Sequence, residues 1–560
     1  MWGLSLLSVI FGLQKKETSL DRNACIKRLK EETFELLVIG GGITGSGIAL
    51  DAATRGIKTA QIEMRDFAFG TSSRSTKLIH GGLRYLKQLD FQLVNEVGRE
   101  RAVVHQLAPH LVHPEKMLLP LISGGKYGKF GTWMGLSVYD YLAGVKGVDR
   151  RKMLDKEGAL EIEPLLDESR LKGGGFYAEY RTDDARLTMA VARTASEKGV
   201  ALGNYLKGEE FTYDEDGQIN GMRVKDQFTG EEFTVKAKAV VNATGPWVDT
   251  LRKVNKSLEG KRLYLTKGIH IVLPHSVFPV KYTVYFDIPD GRMIFAIPRG
   301  NKTYVGTTDT HYTNDIANPR TSKKDVEYIV SSVNAMFPTV KLKASQIESS
   351  WAGLRPLIYE EGKSASEMSR KDEIMLSDTG LISISGGKLT GYRKMAERTV
   401  DQVCKKLYAK NKKCITDEVD LDEGHFNDYD DVLKLLAKIQ KTLKGAEIDA
   451  DMPRYLLHNY GGNSLTIVEA AGANPTESDI IKAELKYCIV NEMCLTLEDF
   501  FVRRTGRLYF NIESVRTHKA AILKEMSAYY SYSKAVEKEE MANIDRLIME
   551  ATTFPSELPT

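Results

Sequence analysis

Three glycines and one acidic residue near the amino terminus have the spacing of a dinucleotide-binding turn. The glycines follow the pattern Gly40-x-Gly42-x-x-Gly45, and Glu63 follows on the next apolar segment. The first glycine permits the sharp bend, the second lets a pyrophosphate approach the backbone, and the third lets helix and strand pack closely. The helix amino terminus supplies N–H donors to phosphate, and the carboxylate accepts from ribose hydroxyls of an adenosine without a 2′-phosphate. We predict a dinucleotide site. The motif alone does not distinguish a flavin dinucleotide from a nicotinamide dinucleotide.

Two further segments have the composition of a site for phosphate and for a ring that becomes anionic. Residues 72–77 are rich in hydroxyl and basic groups, which suit the diphosphate and polyol chain of an extended nucleotide. Gly386 and Gly387 stand at the head of a predicted helix, where backbone N–H groups and the positive end of the dipole stabilise negative charge. An ordinary strand-to-helix turn is the alternative for this glycine pair.

Proton transfer requires a base, and two histidines are candidates for it. His80 and His270 both qualify because unperturbed histidine titrates near neutrality. A histidine on an apolar strand is more often a buried structural residue, and this alternative applies to both. Which of the two is the base stays open at this point.

The elements that position these residues begin with a strand–helix–strand unit. Residues 34–39 are a short apolar run ending in glycines, which predicts a buried strand. Residues 43–55 predict a helix that Gly56 ends, and residues 58–62 predict a second strand. Such units build parallel sheets.

Downstream the pattern changes from strands to helices. Residues 203–245 and 264–308 are rich in strand and turn signals, and Gly300-Asn301 predicts a hairpin between residues 293–298 and 302–308. A strand over 381–385 precedes a predicted helix at about 389–407. The acidic stretch 417–431 predicts a solvated boundary, with a helical domain beyond it.

Length and composition restrict the class of protein. A chain of 560 residues predicts two or three domains, and 78 basic against 75 acidic residues give no support for nucleic-acid binding. Five cysteines without a Cys-x-x-Cys pair indicate a reducing compartment rather than a disulfide scaffold. We predict no metal site, because His105, His110 and His113 lack a paired cysteine or carboxylate pattern.

The amino-terminal segment Met1 to Leu13 is almost wholly apolar and is followed by Lys15 and Lys16. As a helix it would span about 20 Å at ~1.5 Å per residue, which is short of the ~30 Å hydrocarbon layer. An anchor lying on a membrane surface and a disordered or core-docked terminus are both compatible with this pattern.

Five motifs in matching order resemble the FAD-dependent glycerol-3-phosphate dehydrogenases, a branch of the D-amino-acid-oxidase-like flavoproteins. Besides the glycine motif, they are GTSSRSTKLIHGGLRY at 70–85, NATGPW at 242–247, WAGLRP at 351–356, SGGKLTGYR at 385–393 and FFVRRTGR at 500–507. The resemblance extends from about residue 20 onward and is closest to the bacterial, Bacillus-like form. It implies FAD as the cofactor, and we expect the FAD to be bound non-covalently, because no cysteine or histidine lies in a pattern typical of flavin attachment.

The resemblance implies an α/β fold with a discontinuous Rossmann-like FAD-binding domain, an inserted antiparallel β-sheet substrate domain and an α-helical C-terminal domain. We expect an N-terminal segment at 1–30, the FAD-dependent oxidoreductase region at 31–400 and the helical domain at 401–560. Within the middle region, FAD-binding parts are expected at 31–115, 184–263 and 350–400, and substrate-domain parts at 116–183 and 264–349.

The implied reaction is oxidation of sn-glycerol 3-phosphate to dihydroxyacetone phosphate, with electrons passed to a membrane quinone. A nearly dianionic phosphate needs several cationic groups, and the resemblance places such groups around the substrate. The predicted substrate residues are Arg84, Tyr85, His270, Arg355, Arg370 and Lys388, and the predicted catalytic residues are His80, His270 and Arg355. Arg355 is expected to stabilise the developing alkoxide as well.

The predicted FAD-binding residues combine the glycine turn, the end of the second strand and three motifs, at 70–85, 242–247 and 385–393. They are Gly40, Gly42, Ile43, Thr44, Gly45, Glu63, Met64, Thr71, Ser72, Ser73, Thr76, Lys77, Leu78, His80, Gly81, Gly82, Ala243, Thr244, Gly245, Trp247, Gly387, Lys388, Leu389 and Thr390.

Three rival functions remain open from the sequence. An oxidase would pass electrons from the same substrate to oxygen, but the family's oxidases usually carry an inserted segment that we do not find here. An amine or amino-acid oxidase needs roughly one arginine for its carboxylate, which the surplus of basic groups disfavours. A non-catalytic flavoprotein is the third. We expect peripheral attachment to the cytoplasmic face of the cell membrane, and homodimerisation stays open.

Overall fold

A computed structural model describes residues 20–80, 91–125, 151–288, 290–359, 371–408, 412–421 and 426–556. Eighteen strands are assigned within these ranges. In chain order they are β1 Thr33–Ile39, β2 Thr59–Ile62, β3 Leu78–Ile79, β4 His113–Ile122, β5 Lys152–Leu154, β6 Leu171–Arg181, β7 Ala201–Gly203, β8 Leu206–Tyr213, β9 Ile219–Asp226, β10 Glu232–Asn242, β11 Leu263–Pro274, β12 Thr283–Asp287, β13 Met293–Arg299, β14 Lys302–Gly306, β15 Thr310–His311, β16 Ser349–Ile358, β17 Asp372–Leu376 and β18 Leu381–Gly386.

The α-helices alternate with these strands in the first part of the chain and follow one another after residue 428. They are α1 Arg22–Glu31, α2 Ile43–Thr54, α3 Phe91–Leu107, α4 Lys156–Ile162, α5 Asp184–Glu197, α6 Val248–Val254, α7 Lys323–Met336, α8 Tyr392–Tyr408, α9 Tyr429–Thr442, α10 Met452–Tyr460, α11 Ser464–Ala471, α12 Glu477–Glu492, α13 Arg507–Phe510, α14 Ile512–Tyr530 and α15 Lys534–Thr552. A π-helical turn at Asp499–Arg504 separates α12 from α13.

The first sheet has the strand order β17-β18-β10-β1-β2-β7, with β9 and β8 added beside β10. Strands β18, β10, β1, β2 and β7 are parallel, and β17 is antiparallel to β18. The predicted opening strand–helix–strand unit is confirmed, since β1, α2 and β2 lie within one residue of their predicted bounds. Gly56 adopts a φ of 75° immediately after α2, as expected for a glycine that ends a helix.

The second sheet has the order β15-β11-β14-β13-β12-β4-β6-β3, with β16 beside β11 and β5 beside β6. Its pairings are antiparallel except for β12 with β4. The expected α/β architecture with an inserted, mainly antiparallel sheet is therefore confirmed. The predicted boundary at residue 350 needs correction, because β16 pairs with β11 over ten register positions and so belongs to the second sheet.

Two other predicted boundaries also differ from the structure. The predicted start of the helical domain at residue 401 falls inside α8, whose Val400, Val403 and Cys404 are buried in the same core as α2. Residues 20–30, predicted as part of a separate N-terminal segment, include most of α1, whose Leu29 is buried against the first sheet. Apolar faces that pack on this sheet decide both boundaries, whereas the helical pattern of the sequence does not reveal them.

Helices α9 to α15 form the helical domain around their own core, which includes the side chains of Leu456, Ile480, Phe500 and Val515. This core is continuous with Trp351 of β16 and Tyr304 of β14. Among the described helices none is long and apolar enough to span a membrane. The apolar segment Met1 to Leu13, for which we predicted either a surface anchor or a disordered or docked terminus, lies outside the described residues.

Two histidines meet where the helical domain contacts the second sheet. The rings of His113 on β4 and His458 on α10 have centroids 4.3 Å apart, and His458 Nδ1 lies 2.7 Å from the backbone oxygen of His110. Burial, followed by the neighbouring His458, lowers the pKa of His113 well below its usual value. Burial lowers the pKa of His458 to about 3. Both rings are therefore neutral near pH 7.

We expect this contact to make the protein less stable in mild acid. A histidine whose folded pKa is lowered contributes stability that is present above pH ~6.5 and is lost as the pH falls below that value, because the unfolded chain then binds the proton. Each histidine should lower the free energy of unfolding by about 1 kcal/mol between pH 7 and 5.5. Urea unfolding of the FAD-loaded protein at both pH values measures this loss. His458→Gln should reduce the measured loss by about 1 kcal/mol, and an unchanged pH dependence in that variant would contradict the expectation.

Candidate active site

A cleft of about 340 Å³ lies at the carboxyl ends of β1, β10 and β18, between the two sheets. In parallel α/β sheets this edge is where nucleotides bind. The following residues that the sequence predicted for the site line the cleft: Gly40, Gly42, Ile43, Thr44, Glu63, Met64, Thr71, Ser72, Thr76, Leu78, His80, Ala243, Thr244, Gly245, Trp247, His270, Arg355, Gly387, Lys388, Leu389 and Thr390.

The glycine turn between β1 and α2 leaves no room for side chains. A Cβ on Gly40, whose φ is 116°, would lie 2.5 Å from the carbonyl oxygen of Ala243. On Gly45 it would lie 2.0 Å from the carbonyl oxygen of Gly40. The buried Gln61 supports the turn, since its Nε2 donates to that same Gly40 oxygen at 2.8 Å. Gly40 therefore makes the bend, and Gly45 does not line the cleft but lets the helix approach the strand.

The amino terminus of α2 faces the cleft and has the donors needed for a phosphate group. Gly42 caps the helix without a side-chain hydrogen bond, and Ile43 and Thr44 in the first turn line the cleft. Ser72 approaches from the other side, and its Oγ accepts a hydrogen bond from the Ile43 N–H at 3.0 Å. Backbone N–H groups and the helix dipole thus point where a pyrophosphate is expected.

Glu63 lies at the end of β2 and is oriented by two backbone donors. Its Oε2 accepts from the Gly41 N–H at 2.6 Å, and its Oε1 accepts from the Arg65 N–H at 2.9 Å. Burial raises the pKa of this carboxyl group, which the two N–H donors oppose. A carboxylate oxygen can accept more than one hydrogen bond, so Glu63 retains capacity for ribose hydroxyls.

Two consecutive glycines link β18 to the following helix. Gly386 and Gly387 have φ values of 81° and 75°, a left-handed conformation that other residues rarely adopt. A Cβ on Gly387 would lie 2.4 Å from Met395 Sδ. A 3₁₀ turn at Leu389–Gly391 then leads into α8, so the α-helix starts three residues after its predicted start. Leu389 and Thr390 of this turn line the cleft together with the two glycines.

His270 and Arg355 come together through the pairing of β11 with β16. Arg355 is opposite Thr266, and His270 is opposite Trp351. Cross-strand partners share one face of a sheet, and residues 266, 268 and 270 share that face because successive side chains alternate. The Arg355 guanidinium covers Gly268, where a Cβ would lie 2.3 Å from Nη2. The guanidinium therefore lies beside the next residue on that face, His270.

His270 is almost completely buried, with 1% of its surface exposed, and its ring stacks on Trp351 at a centroid distance of 4.6 Å. Its Nε2 lies 2.9 Å from Thr76 Oγ1. Within the described part of the chain, Nδ1 has no hydrogen-bond partner. Burial, followed by the positive charge of Arg355, lowers the pKa of His270 well below its usual value. The imidazole is therefore neutral at pH 7 and can accept a proton.

The Arg355 guanidinium is oriented by neighbours on the loop that follows β14. Nη2 donates to Thr307 Oγ1 at 2.9 Å, and Nη1 donates to the Thr308 carbonyl oxygen at 3.2 Å. Asp309 Oδ1 lies 3.4 Å from Nη1. These contacts leave 21% of the side chain exposed, and it lines the cleft. A fixed, partly exposed guanidinium suits a doubly charged phosphate.

Besides Gly45, the predicted FAD-binding residues Ser73 and Lys77 are not among those that line the cleft. Lys77 is buried, and its Nζ lies 2.5 Å from Asp184 Oδ1 and 3.4 Å from Asp183 Oδ2. Both carboxylates lie at the start of α5, far from Lys77 in the sequence, so the basic character of residues 72–77 gave no indication of this ion pair. The predicted residues Gly81, Gly82, Arg84, Tyr85 and Arg370 lie outside the described residues.

Sequence reasoning missed the wall of the cleft beside Glu63. Leu206, Lys207 and Gly208, at the start of β8, form this wall, and the Leu206 N–H donates to the Glu63 carbonyl oxygen at 2.7 Å. No motif identifies these residues, because only the pairing of β7 with β2 places them there. The sequence analysis described residues 203–245 only as rich in strand and turn signals, which does not place them at the cleft.

The comparisons with known proteins agree with this geometry. The sequence model described as FAD dependent oxidoreductase matches residues 35–393, which is more than half of the chain. The chain belongs to this family. A second model, described as the C-terminal domain of alpha-glycerophosphate oxidase, matches residues 385–537.

Within the family the chain is similar to proteins named aerobic glycerol-3-phosphate dehydrogenase. It is 49% identical to the one from Bacillus subtilis over 95% of this chain and 98% of that protein. It is 48% identical to the one from Staphylococcus aureus over 94% and 96%, respectively. The crystal structure of the glycerol-3-phosphate dehydrogenase from Bacillus halodurans complexed with FAD superposes with a TM-score of 0.81 at 43% identity, and covers 97% of this chain and 100% of that chain.

The cofactor of this family member is FAD, and the cleft fits it. The glycine turn and the α2 amino terminus suit the diphosphate, and Glu63 suits the adenosine ribose. At the other end of the cleft, the buried Ser385 Oγ and His270 Nδ1 lack hydrogen-bond partners within the described residues. Buried polar atoms are normally paired, so these two atoms point to a polar group bound beside them.

Proposed function

We propose that this protein oxidises sn-glycerol 3-phosphate to dihydroxyacetone phosphate and passes the electrons to a membrane quinone. The names of relatives about half identical over nearly the whole chain support the substrate. The observation that carries the proposal is the Arg355 guanidinium beside the neutral, buried His270 in one cleft. A cation for the phosphate thus lies next to a base for the hydroxyl group.

In this proposal the phosphate and the C2 hydroxyl group of the substrate each contact specific residues. Arg355 and Lys388 bind the phosphate, together with Arg84, Tyr85 and Arg370, which the sequence predicts for the same role. His270 takes the proton from the C2 hydroxyl group, and Arg355 stabilises the negative charge that develops on that oxygen. Bound FAD supplies the two-electron chemistry by accepting the hydride from C2.

His80 is the second candidate for the base. It lines the cleft and is half-buried, and its ring lies edge-on to Phe295 at a centroid distance of 5.9 Å. Its backbone oxygen accepts a hydrogen bond from Thr390 Oγ1 at 3.4 Å. This contact connects the segment carrying His80 to the turn after Gly387. We assign His80 to the flavin environment and His270 to proton transfer, because the imidazole of His270 lies beside the Arg355 guanidinium.

Bound FAD would be held along the cleft mainly by backbone N–H groups, together with the side chains of Ser72 and Glu63. The α2 amino terminus and Ser72 bind the diphosphate, and Glu63 binds the adenosine ribose. The backbone N–H groups of the Gly386–Gly387 turn would stabilise the negative charge that a bound flavin ring acquires on reduction. Two-electron reduction is then favoured by fixed N–H donors that need no rearrangement during the reaction.

The proposal names a membrane quinone as the electron acceptor, and oxygen is the alternative acceptor. The match of residues 385–537 to a domain named after alpha-glycerophosphate oxidase makes oxygen a specific rival. We expect glycerol 3-phosphate to bleach the flavin absorbance anaerobically, and a soluble quinone to restore it much faster than dissolved oxygen does. Faster recovery with oxygen and release of hydrogen peroxide would identify an oxidase instead.

A substrate panel in the same experiment separates the remaining rivals. Bleaching by glycine or proline, but not by glycerol 3-phosphate, would indicate an amine or amino-acid oxidase. A flavin that no small substrate bleaches would indicate a non-catalytic flavoprotein. Peripheral attachment to the cytoplasmic membrane surface belongs to the quinone proposal, and co-sedimentation of the full-length protein with lipid vesicles tests it.

A further inference from the structure

The π-helical turn Asp499–Arg504 of the helical domain is buried against the FAD-binding domain. Residues 500–504 of this turn belong to the FFVRRTGR motif, Asp499 directly precedes that motif, and no residue of the turn lines the cleft. All six of its residues are buried. Two adjacent arginines and an aspartate in such a place need partners, because unpaired buried charge is strongly unfavourable.

The two arginines of this turn bind Asp66, which lies on the loop after β2. Arg503 Nε donates to Asp66 Oδ2 at 2.6 Å, and Arg504 Nη1 and Nη2 donate to its two oxygens at 2.7 and 2.9 Å. Asn204 Nδ2 also donates to Asp66 Oδ1, at 3.2 Å. This loop carries Glu63 and Met64 of the cleft on one side of Asp66 and Thr71 and Ser72 on the other.

Asp499 of this turn positions the other wall at the Glu63 end of the cleft, which is formed by residues 206–208. Tyr205 donates its hydroxyl proton to Asp499 Oδ1 at 2.6 Å, and its backbone N–H donates to the Arg65 carbonyl oxygen at 2.7 Å. Tyr205 has a φ of 55°, which is uncommon for a tyrosine and turns the chain directly into the lining segment 206–208. Tyr205 does not line the cleft itself.

The buried charges between the Asp499–Arg504 turn and the loop after β2 compensate one another. Arg503 donates to three carboxylates, since Glu498 and Asp499 add contacts at 2.8 and 2.6 Å to the one with Asp66. Burial opposes ionisation of Asp66, but Arg504 and Arg503 outweigh it and lower the pKa of this carboxyl group. Each of these charged groups has a specific partner, so hydrogen bonds connect both the loop after β2 and the start of β8 to the helical domain.

We propose that the Asp499–Arg504 turn of the helical domain sets the affinity of the cleft for the adenosine half of FAD, by holding the 63–72 loop and the 205–208 segment in position. Asp66, Tyr205, Asp499 and Arg503 are positioning residues in this proposal, since they act through Glu63 and Leu206. The inference rests on the proposed binding of the adenosine ribose by Glu63. It gives the helical domain a role in cofactor retention, at a distance from the residues proposed for chemistry.

The test compares two tyrosines that have the same local chemistry. Tyr205 and Tyr455 are both half-buried, and each donates its hydroxyl proton to a fully buried carboxylate, Asp499 at 2.6 Å and Glu484 at 2.5 Å. Tyr455 and Glu484 both lie inside the helical domain. Full-length apoprotein of Tyr205→Phe and Tyr455→Phe is titrated with FAD, and flavin fluorescence gives the Kd.

We expect Tyr205→Phe to raise the Kd for FAD by about tenfold, which corresponds to one lost hydrogen bond to a charged group. Tyr455→Phe should change that Kd less than twofold. The thermal midpoint should fall by a similar number of degrees in Tyr455→Phe and in Tyr205→Phe. At saturating FAD the flavin absorption spectrum of Tyr205→Phe should match the unmodified protein, because the flavin end of the cleft is untouched. An unchanged Kd in Tyr205→Phe, or an equal rise in both variants, would overturn the inference.

Glu63→Gln separates this inference from the proposed site. Weaker FAD binding in Glu63→Gln with normal binding in Tyr205→Phe would leave the site intact and refute the role of the helical domain. Normal FAD binding in Glu63→Gln would refute the adenosine site itself, whatever Tyr205→Phe does.

Discussion

Arg355→Ala is expected to lower kcat/KM for glycerol 3-phosphate by about a hundred- to a thousandfold, while FAD stays bound. The guanidinium lies over Gly268 and is oriented by Thr307 and Thr308, so it presents fixed donors to a doubly charged group. Removing it takes away charge-assisted hydrogen bonds that water replaces poorly in a half-buried cleft. Steady-state kinetics with a soluble acceptor measure the loss, and the flavin absorbance per protein reports cofactor content.

Arg355→Lys is the matched control that separates the contribution of the positive charge from that of the guanidinium geometry. Lysine retains the positive charge but cannot donate to Thr307 and Thr308 while also contacting the substrate in the planar, forked manner of arginine. Its kcat/KM should therefore fall between those of the alanine variant and the unmodified protein. Near-normal turnover in Arg355→Ala, with full FAD content, would remove Arg355 from the substrate site.

His270→Asn is expected to lower kcat by about 10²- to 10⁴-fold, the usual contribution of a general base. Asparagine keeps a polar side chain at this buried position but cannot accept the proton. Because burial and then Arg355 lower the pKa of His270, the unmodified enzyme should keep its kcat/KM as the pH falls from 8 to about 6.5. Activity should fall only at lower pH, where the imidazole becomes protonated.

His80→Asn distinguishes the two candidate bases. If the assignment is right, this variant changes the flavin spectrum or the Kd for FAD more than it changes the pH dependence of kcat. A larger loss of kcat in His80→Asn than in His270→Asn would transfer the role of the base to His80. Both variants should be compared at saturating FAD, so that cofactor loss does not imitate a loss of chemistry.

Local patterns predicted local structure well. The run from β1 through the glycine turn to Glu63 lies within one residue of the expected bounds, because strand, turn and helix signals there are all contained in thirty consecutive residues. The left-handed turn at Gly386 and Gly387 was likewise readable as a glycine pair between strand and helix. Domain boundaries were less predictable, since α8 has the same helical pattern as α9 but packs on a different core.

The amino-acid sequence by itself determined the dinucleotide turn, the motifs that relate the chain to flavin-dependent oxidoreductases, and the residue types available for binding phosphate and accepting a proton. Tertiary structure alone decided that Lys77 binds Asp184 and does not line the cleft itself, that Arg355 lies beside His270, and that Arg503 reaches Asp66 from the other end of the chain. The reason is physical. A backbone conformation depends on neighbouring residues, whereas the partner of a charged side chain depends on strand register and helix packing between segments that are far apart in the chain.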